Sequence, residues 1–109
     1  MSKQPHVKIY LTAFKLHDSD DWQCESCGKM DNIQDFDIHH IQSRSSMGGA
    51  KKANRIENLQ ALCRPCHIRL GDYPKWKAWL FKMHRIRLED NGIPHDKAWI
   101  QEQIDKYEN

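Results

Sequence analysis

Two Cys-x-x-Cys pairs constrain the fold of this 109-residue chain more than any other feature. The first pair is Cys24 and Cys27, and the second is Cys63 and Cys66. Thiolates three residues apart in a tight turn converge on one ion, and two such turns complete a tetrahedron, as in structural zinc sites. Such a site has no open coordination position, so the four cysteines are predicted to hold a structural Zn²⁺ ion and to do no chemistry.

The bulk properties agree with a small metal-stapled protein. A chain of this length is predicted to form one domain, residues 1–109, whose thin core gains from a bound metal. The N-terminal residues lack the apolar segment of a secretory signal, so a cytoplasmic location is expected and metal binding is favoured over two disulfides. No run of eighteen apolar residues occurs, and no membrane partner is expected.

The segment between the cysteine pairs predicts two strands joined by a loop. Alternating residues 36–41 predict a strand that ends in the dipeptide His39-His40. Residues 42–55 are predicted to be a long loop, and residues 58–62 a returning strand. Pro65 favours a first helical turn, so a helix is predicted to about Leu70.

Helices are predicted on both sides of this segment. Residues 5–15 predict a short helix, although alternation of Val7, Ile9 and Leu11 leaves a strand open. A further helix is predicted from Pro74 to Asn91-Gly92, and a last one from Pro94. Trp76 and Trp79 are interpreted as core residues of the longer helix rather than as a base-stacking surface.

Three histidines are the candidates for chemistry. Adjacent residues on a strand point to opposite faces, so His39 and His40 are not expected to bind the same metal ion. One is therefore expected to bind metal and the other to transfer a proton. His67, which follows Cys66, is predicted to be brought near them by the zinc ion and the short helix.

The stretch from Trp22 to Asp72, with His39-His40, Asn58 and His67, resembles the HNH nucleases, which are named for His, Asn and His. The resemblance implies an α+β fold with a ββα-metal core at about 22–72 and a helical extension at 73–109. It implies that His39 and His67 bind a catalytic divalent ion (Mg²⁺, Mn²⁺, Ni²⁺ or Zn²⁺). It also implies that His40 is the general base and that hydrolysis of DNA leaves a 5′ phosphate and a 3′ hydroxyl.

Asn58 is the Asn of the motif, and the residues after His67 differ from those of many relatives. An amide cannot transfer protons at neutral pH, so Asn58 is predicted to bridge loop and strand and to orient His40, although an ordinary turn residue is the alternative. Some relatives carry a further ligand His where this chain has Gly71. Asp72 could substitute, but it is expected to cap the following helix. Many relatives carry Lys where this chain has Leu70, and the neighbouring Arg69 is expected to take over its phosphate contact.

Positive charge is concentrated in residues 42–75, which carry seven basic residues against two acidic ones. This segment is where a phosphate backbone would be held next to the histidines. The predicted DNA contacts are Arg44, Lys51, Lys52, Arg55 and Arg69. A basic, solvated loop without function is the alternative interpretation of the charge.

Three functional hypotheses follow. The first is a metal-dependent DNA endonuclease, the second a non-catalytic zinc-stabilised DNA-binding module, and the third a zinc-stapled protein-interaction domain. The resemblance also implies a bacteriophage or mobile-element origin, with packaging or recombination partners and a monomer or weak dimer in the bacterial cytoplasm. The other histidines, His6, His17, His84 and His95, are interpreted as surface residues.

Overall fold

The computed structural model describes residues 4–108, and within them the chain is α+β, as predicted from the sequence. Six α-helices and four strands make up this described part of the chain. In order they are α1 (Pro5–Ala13), β1 (Asp21–Gln23), β2 (Met30–Asn32), β3 (Phe36–His40), α2 (Arg44–Met47), α3 (Ala50–Ala53), β4 (Leu59–Cys63), α4 (Arg64–Leu70), α5 (Lys77–Asp90) and α6 (Lys97–Tyr107).

The strands form two separate antiparallel sheets of two strands each. In the first sheet β1 pairs with β2, and the turn between them contains the first cysteine pair. This turn closes with Gly28 at φ +81°, a left-handed conformation that residues with a side chain rarely adopt. In the second sheet β3 pairs with β4, with Phe36 opposite Cys63 and His40 opposite Leu59.

Strand β4 continues directly into α4, which starts immediately after Cys63 and packs on both β3 and β4. Helix α1 also contacts both strands, so every residue of β4 is buried. The predicted strand, returning strand and helix of the ββα unit are therefore confirmed. The predicted helix near the N-terminus is also confirmed, and the strand alternative for that segment is wrong.

The hydrophobic core lies between the ββα unit, α1 and the antiparallel pair α5 and α6. Its fully buried large side chains include Tyr10, Leu59, Leu62, Leu80, Phe81, Leu88, Ile100 and Ile104. Helix α6 contributes Ile100 and Ile104, which lie four residues apart and therefore on the same face of the helix. The C-terminal helices therefore supply part of the core that supports the second sheet.

The interpretation of His84 as a surface residue is wrong, because this side chain is fully buried on α5. Its Nδ1 donates to the Glu25 carboxylate at 2.7 Å, and its Nε2 donates to the Ile56 carbonyl at 2.6 Å. Both partners are acceptors, so the ring carries two protons and a positive charge. Burial lowers the pKa of His84, but the charge and hydrogen bond of Glu25 outweigh burial and leave the pKa raised.

Glu25 lies inside the first cysteine pair and connects three elements. In addition to His84, its carboxylate accepts hydrogen bonds from the Tyr10 hydroxyl and from the Ala61 backbone amide. Burial of the Tyr10 hydroxyl, together with the negative charge of Glu25, raises the pKa of Tyr10 well above its usual value. The side chain therefore links the cysteine turn to α1, β4 and α5. Of the other histidines interpreted as surface residues, His17 is exposed, whereas His6 and His95 are half-buried.

Three further expectations require correction. Residues 42–55 are not one loop, because Ser43 caps α2 and Gly48 ends it in a left-handed conformation, after which α3 forms. Helix α6 starts at Lys97 rather than at Pro94, because the Asp96 side chain accepts a hydrogen bond from the Trp99 amide and caps it there. Trp76 and Trp79 are not core residues, since each is 37% exposed.

Candidate functional site

The four cysteines meet at one point between the β1–β2 turn and the start of α4. Their sulfur atoms all lie within 4.8 Å of one another, and the Cys27 and Cys63 sulfurs are 3.7 Å apart. A tetrahedral zinc ion with Zn–S bonds of about 2.3 Å requires sulfurs about 3.8 Å apart. The donor set and its spacing therefore fit a structural metal such as zinc, as the sequence predicted.

The thiols of this cluster differ in acidity. A backbone hydrogen bond with Lys29 lowers the pKa of Cys27 to about 7, whereas burial raises the pKa of Cys63 and raises that of Cys66 to about 12. The sulfur of Cys24 accepts hydrogen bonds from the amides of Ser26 and Cys63. Metal binding requires thiolates, so binding of the ion is coupled to proton release from the more buried thiols.

His39 and His67 lie side by side at the junction of β3 and α4. Their ring centroids are 4.7 Å apart. His39 is buried, and its Nε2 has no hydrogen-bond partner among the described residues. Burial and, to a smaller extent, the charge of the nearby His67 lower the pKa of His39 to about 4. The imidazole is therefore neutral at pH 7, which is the form that binds metal.

Asp37 orients the His67 ring. Its Oδ2 lies 2.9 Å from His67 Nδ1, so this nitrogen donates to the carboxylate and Nε2 is free for a ligand. The other carboxylate oxygen pairs with Arg64 at 3.5 Å. A carboxylate behind a metal-binding histidine fixes its tautomer and makes the ring a stronger ligand. The sequence analysis missed Asp37, although strand alternation places it on the same face as His39.

The close approach of His67 leaves no room for a side chain at Gly71, the residue that follows α4. A Cβ atom there would lie 2.6 Å from the His67 carbonyl oxygen and 2.7 Å from the His67 ring. The neighbouring Asp72 does not cap the next helical turn, which contradicts the expectation. Its negative charge instead opposes part of the lowering of the His39 pKa, which burial and His67 outweigh. Within residues 4–108, the only group of three or more potential metal ligands is the cysteine cluster.

His40 lies in a separate environment from His39 and His67. Its Nε2 is 2.7 Å from the Asn54 side-chain oxygen, and its ring centroid is 4.6 Å from that of His6. Burial, His40 and Arg44 lower the pKa of His6, so His6 is not the isolated surface residue that was expected. Asn54 could not be identified from the sequence, because no motif or periodicity marks a single Asn directly after α3.

Asn58 is fully buried and makes three hydrogen bonds across the connection between β3 and β4. Its side-chain oxygen accepts from the Gln42 amide at 2.7 Å, and its nitrogen donates to the carbonyls of Gln42 and Ala53, both at 3.0 Å. The Asn58 amide therefore joins the end of α3 to Gln42, which follows His40 by two residues.

The five basic side chains predicted to contact DNA fall into two groups. Arg44, Lys51, Lys52 and Arg69 are exposed. Arg55 instead pairs with Glu57 at 3.0 Å and with Asp96 at 3.5 Å, and its guanidinium lies 4.4 Å from the centre of the Trp99 ring. These contacts connect the end of α3 to α6, so Arg55 has a structural role that its sequence position did not indicate.

The structure thus combines a ββα unit, a four-cysteine cluster suited to a structural metal and two adjacent histidine rings. Residues 24–72 match the family model described as HNH endonuclease, and the matched residues include both cysteine pairs, the ββα unit and the histidines His39, His40 and His67. Members of this family are typically nucleases, and they bind nucleic acid.

Searches of curated proteins and of solved structures returned no match. No helix within residues 4–108 is both long and apolar enough to cross a membrane.

Proposed function

We propose that the protein is a DNA endonuclease that uses a divalent metal ion to hydrolyse phosphodiester bonds. One observation carries the proposal. Buried His39 lies next to the His67 ring, and its Nε2 has no hydrogen-bond partner in the part of the chain that the structure describes. His40 is held separately by Asn54. A buried imidazole nitrogen without a hydrogen bond is costly unless a ligand satisfies it. The match to the HNH family supports the same conclusion.

In this proposal His39 and His67 hold the catalytic ion, and Asp37 keeps the His67 ring in position. When bound, the ion stabilises the negative charge that grows on the phosphate and on the leaving 3′ oxygen. The two imidazoles would supply the nitrogen ligands of this ion. Mg²⁺, Mn²⁺, Ni²⁺ and Zn²⁺ are all candidates for this ion.

His40 is the proposed general base. The Asn54 side-chain oxygen accepts a hydrogen bond from Nε2, so the proton resides there and Nδ1 is free to take a proton from water. The water oxygen forms a bond to phosphorus, and the bond between phosphorus and the 3′ oxygen breaks. The products carry a 5′ phosphate and a 3′ hydroxyl, the latter after proton uptake from solvent. Asn58 is proposed to hold the connection that positions His40.

We propose that Arg44, Lys51, Lys52 and Arg69 contact DNA phosphates, since they are exposed cations of the basic segment 42–75. Arg55 is left out because its guanidinium is already paired with Glu57 and Asp96. Contacts of this kind give affinity without reading the base sequence.

We further propose that residues 1–109 form a single domain in the cytoplasm. The contact between Glu25 in the cysteine turn and His84 on α5 supports the first part, because it ties the C-terminal helices to the HNH segment. Four free thiols arranged for a metal ion support the second part, since a reducing compartment preserves them.

A plasmid-nicking assay tests the function. The purified protein should convert supercoiled DNA to nicked or linear forms with Mg²⁺, Mn²⁺ or Ni²⁺ and should stop when chelator removes the catalytic ion. A melting curve on the chelated sample must show that the cysteine cluster still holds its metal. His40→Ala should lower the rate by about 10²–10⁴-fold while metal affinity stays unchanged.

His67→Ala should instead weaken metal binding, and a high metal concentration should partly restore cutting. His17→Ala is the matched control, because His17 is exposed and far in sequence from the site. If calorimetry shows that His40→Ala loses the metal and His39→Ala keeps it, the roles of the two residues are exchanged.

One observation favours the alternative of a non-catalytic zinc-stabilised DNA-binding module. Among the described residues, no third side chain joins His39 and His67 as a ligand. The alternative predicts DNA binding that does not depend on added divalent metal and no cutting with any of the three ions. A direct binding measurement beside the nicking assay separates the two functions.

A further inference from the structure

Four large apolar side chains are exposed on one stretch of the chain that follows His67. They are Ile68 on α4, Tyr73 before the next helical turn, and Trp76 and Trp79 at the start of α5, with exposures of 69%, 52%, 37% and 37%. Aromatic side chains are usually buried because each removes a large apolar area from water. A group of them on the surface, interleaved with cations, marks a binding site.

The shape and charge of this surface restrict what it can bind. A groove of about 530 Å³ is lined by Ile68, Arg69, Leu70, Tyr73, Lys75 and Trp76, and we call it the aromatic groove. The rings of Trp76 and Trp79 meet edge to face with centroids 6.2 Å apart, and the Lys75 ammonium lies 5.8 Å from the Trp76 ring centre. Two of the six lining residues are cationic, and none carries a carboxylate.

The aromatic groove adjoins the candidate catalytic site. A second groove, of about 490 Å³, is lined by residues that include His6, Asp37, Arg64 and His67, and Ile68 lines both grooves. A nucleic-acid strand bound beside His67 therefore reaches the aromatic groove across a single exposed side chain.

We propose that the aromatic groove binds unpaired nucleotides of the DNA substrate by stacking bases on Tyr73 and Trp76. Arg69 and Lys75 would contact the phosphates that connect these bases. Exposed aromatic rings combined with cations are the chemistry of single-strand binding, because every base offers a flat face and every linkage a negative charge. The inference rests on the proposed function, and it specifies the substrate as duplex DNA with an adjoining single-stranded segment.

The test compares two DNA probes by fluorescence anisotropy without added divalent metal, so that the DNA stays intact. One probe is a blunt 20-base-pair duplex, and the other is the same duplex with an eight-nucleotide thymidine tail. Stacking of one base contributes about 1–3 kcal/mol, so each of the two rings should strengthen binding of the tailed probe about 5-fold to 140-fold. Trp76→Ala and Tyr73→Ala should each reduce the preference for the tailed probe by a factor in this range while affinity for the blunt probe stays unchanged.

Two further variants keep the result interpretable. Trp76→Phe retains a stacking face and should keep the preference, and Ile86→Ala is the matched control because Ile86 is an exposed apolar residue on α5 that does not line the groove. Melting temperatures should be similar for all variants, since the altered side chains are substantially exposed. A preference for the tailed probe that survives both alanine changes would overturn the proposal.

Other outcomes separate this inference from the proposed function. If the wild-type protein nicks plasmid DNA but binds both probes equally, the groove proposal is wrong and the endonuclease proposal stands. If it prefers the tailed probe and never cuts, the groove proposal stands and the endonuclease proposal is wrong. If sedimentation shows a dimer that Trp76→Ala dissociates, with no effect on either probe, the groove is an interface between two copies of the chain and the proposal is overturned.

Discussion

Replacement of His84 by Ala tests whether the ion pair with Glu25 ties the C-terminal helices to the cysteine turn. Both side chains are completely buried, so solvent does not screen the interaction. Removal of the His84 ring leaves Glu25 as an uncompensated buried charge and leaves the Ile56 carbonyl without its hydrogen-bond donor. Loss of one member of a buried pair costs about 3–5 kcal/mol. That is a large share of the roughly 5–15 kcal/mol by which domains are stable.

Urea denaturation at a fixed free zinc concentration measures this effect, because bound metal contributes to the apparent stability. Ile86→Ala on the same helix is the control and should change the free energy of unfolding by no more than about 0.5 kcal/mol. A double-mutant cycle with Glu25→Gln isolates the pairwise contribution and should give a coupling energy of about 1–3 kcal/mol. A loss below about 1 kcal/mol for His84→Ala, or additive effects in the cycle, would refute the argument.

The same pair predicts how stability depends on pH. The pKa of His84 is raised above its ordinary value of 6.5, so the folded state binds this proton more tightly than the unfolded state does. The contribution is therefore complete below about pH 6.5 and is lost as the pH rises through the folded-state value. The difference in unfolding free energy between wild type and His84→Ala should accordingly shrink as the pH rises above 6.5. A difference that grows with pH would show that the ring is neutral in the folded protein.

Three further predictions concern the metal, the DNA contacts and the proposed base. Cys63→Ser should release the structural ion and abolish cooperative melting, as measured by zinc content and calorimetry, and unchanged values for both would contradict the four-cysteine assignment. Joint replacement of Lys51 and Lys52 by Ala should reduce the salt slope of log K by about 0.9 for each lost phosphate contact, equally on unrelated duplexes, whereas an unchanged slope would place the DNA surface elsewhere. Asn54→Ala should lower kcat on the order of 10²-fold without weakening DNA binding, because the ring of His40 loses its anchor, and unchanged kcat would remove Asn54 from the site.

The cysteine spacing and the residue patterns determined much of this fold from the sequence alone. Two Cys-x-x-Cys turns fix where the chain must meet itself, and alternation over residues 36–41 identifies the first strand between them, to which residues 58–62 are predicted to return. The pairing of β3 with β4 and the start of α4 at the second cysteine pair follow from those constraints. Strand geometry also separates His39 from His40, and the structure places these two rings in different surroundings.

Only the tertiary structure decided which side chains surround these residues. The roles of Asp37 and Asn54 depend on contacts with His67 and His40, which are 30 and 14 residues away and which no local pattern reports. The burial of His84 follows from Glu25, 59 residues earlier, because a charge is stable in the core only where another element supplies its partner. The exposure of Trp76 has the same kind of cause, since the core that helical periodicity assigned to it is filled by Leu80, Phe81 and Leu88 instead. Periodicity gives the spacing of side chains along an element, but the packing of the whole chain determines which face meets the interior.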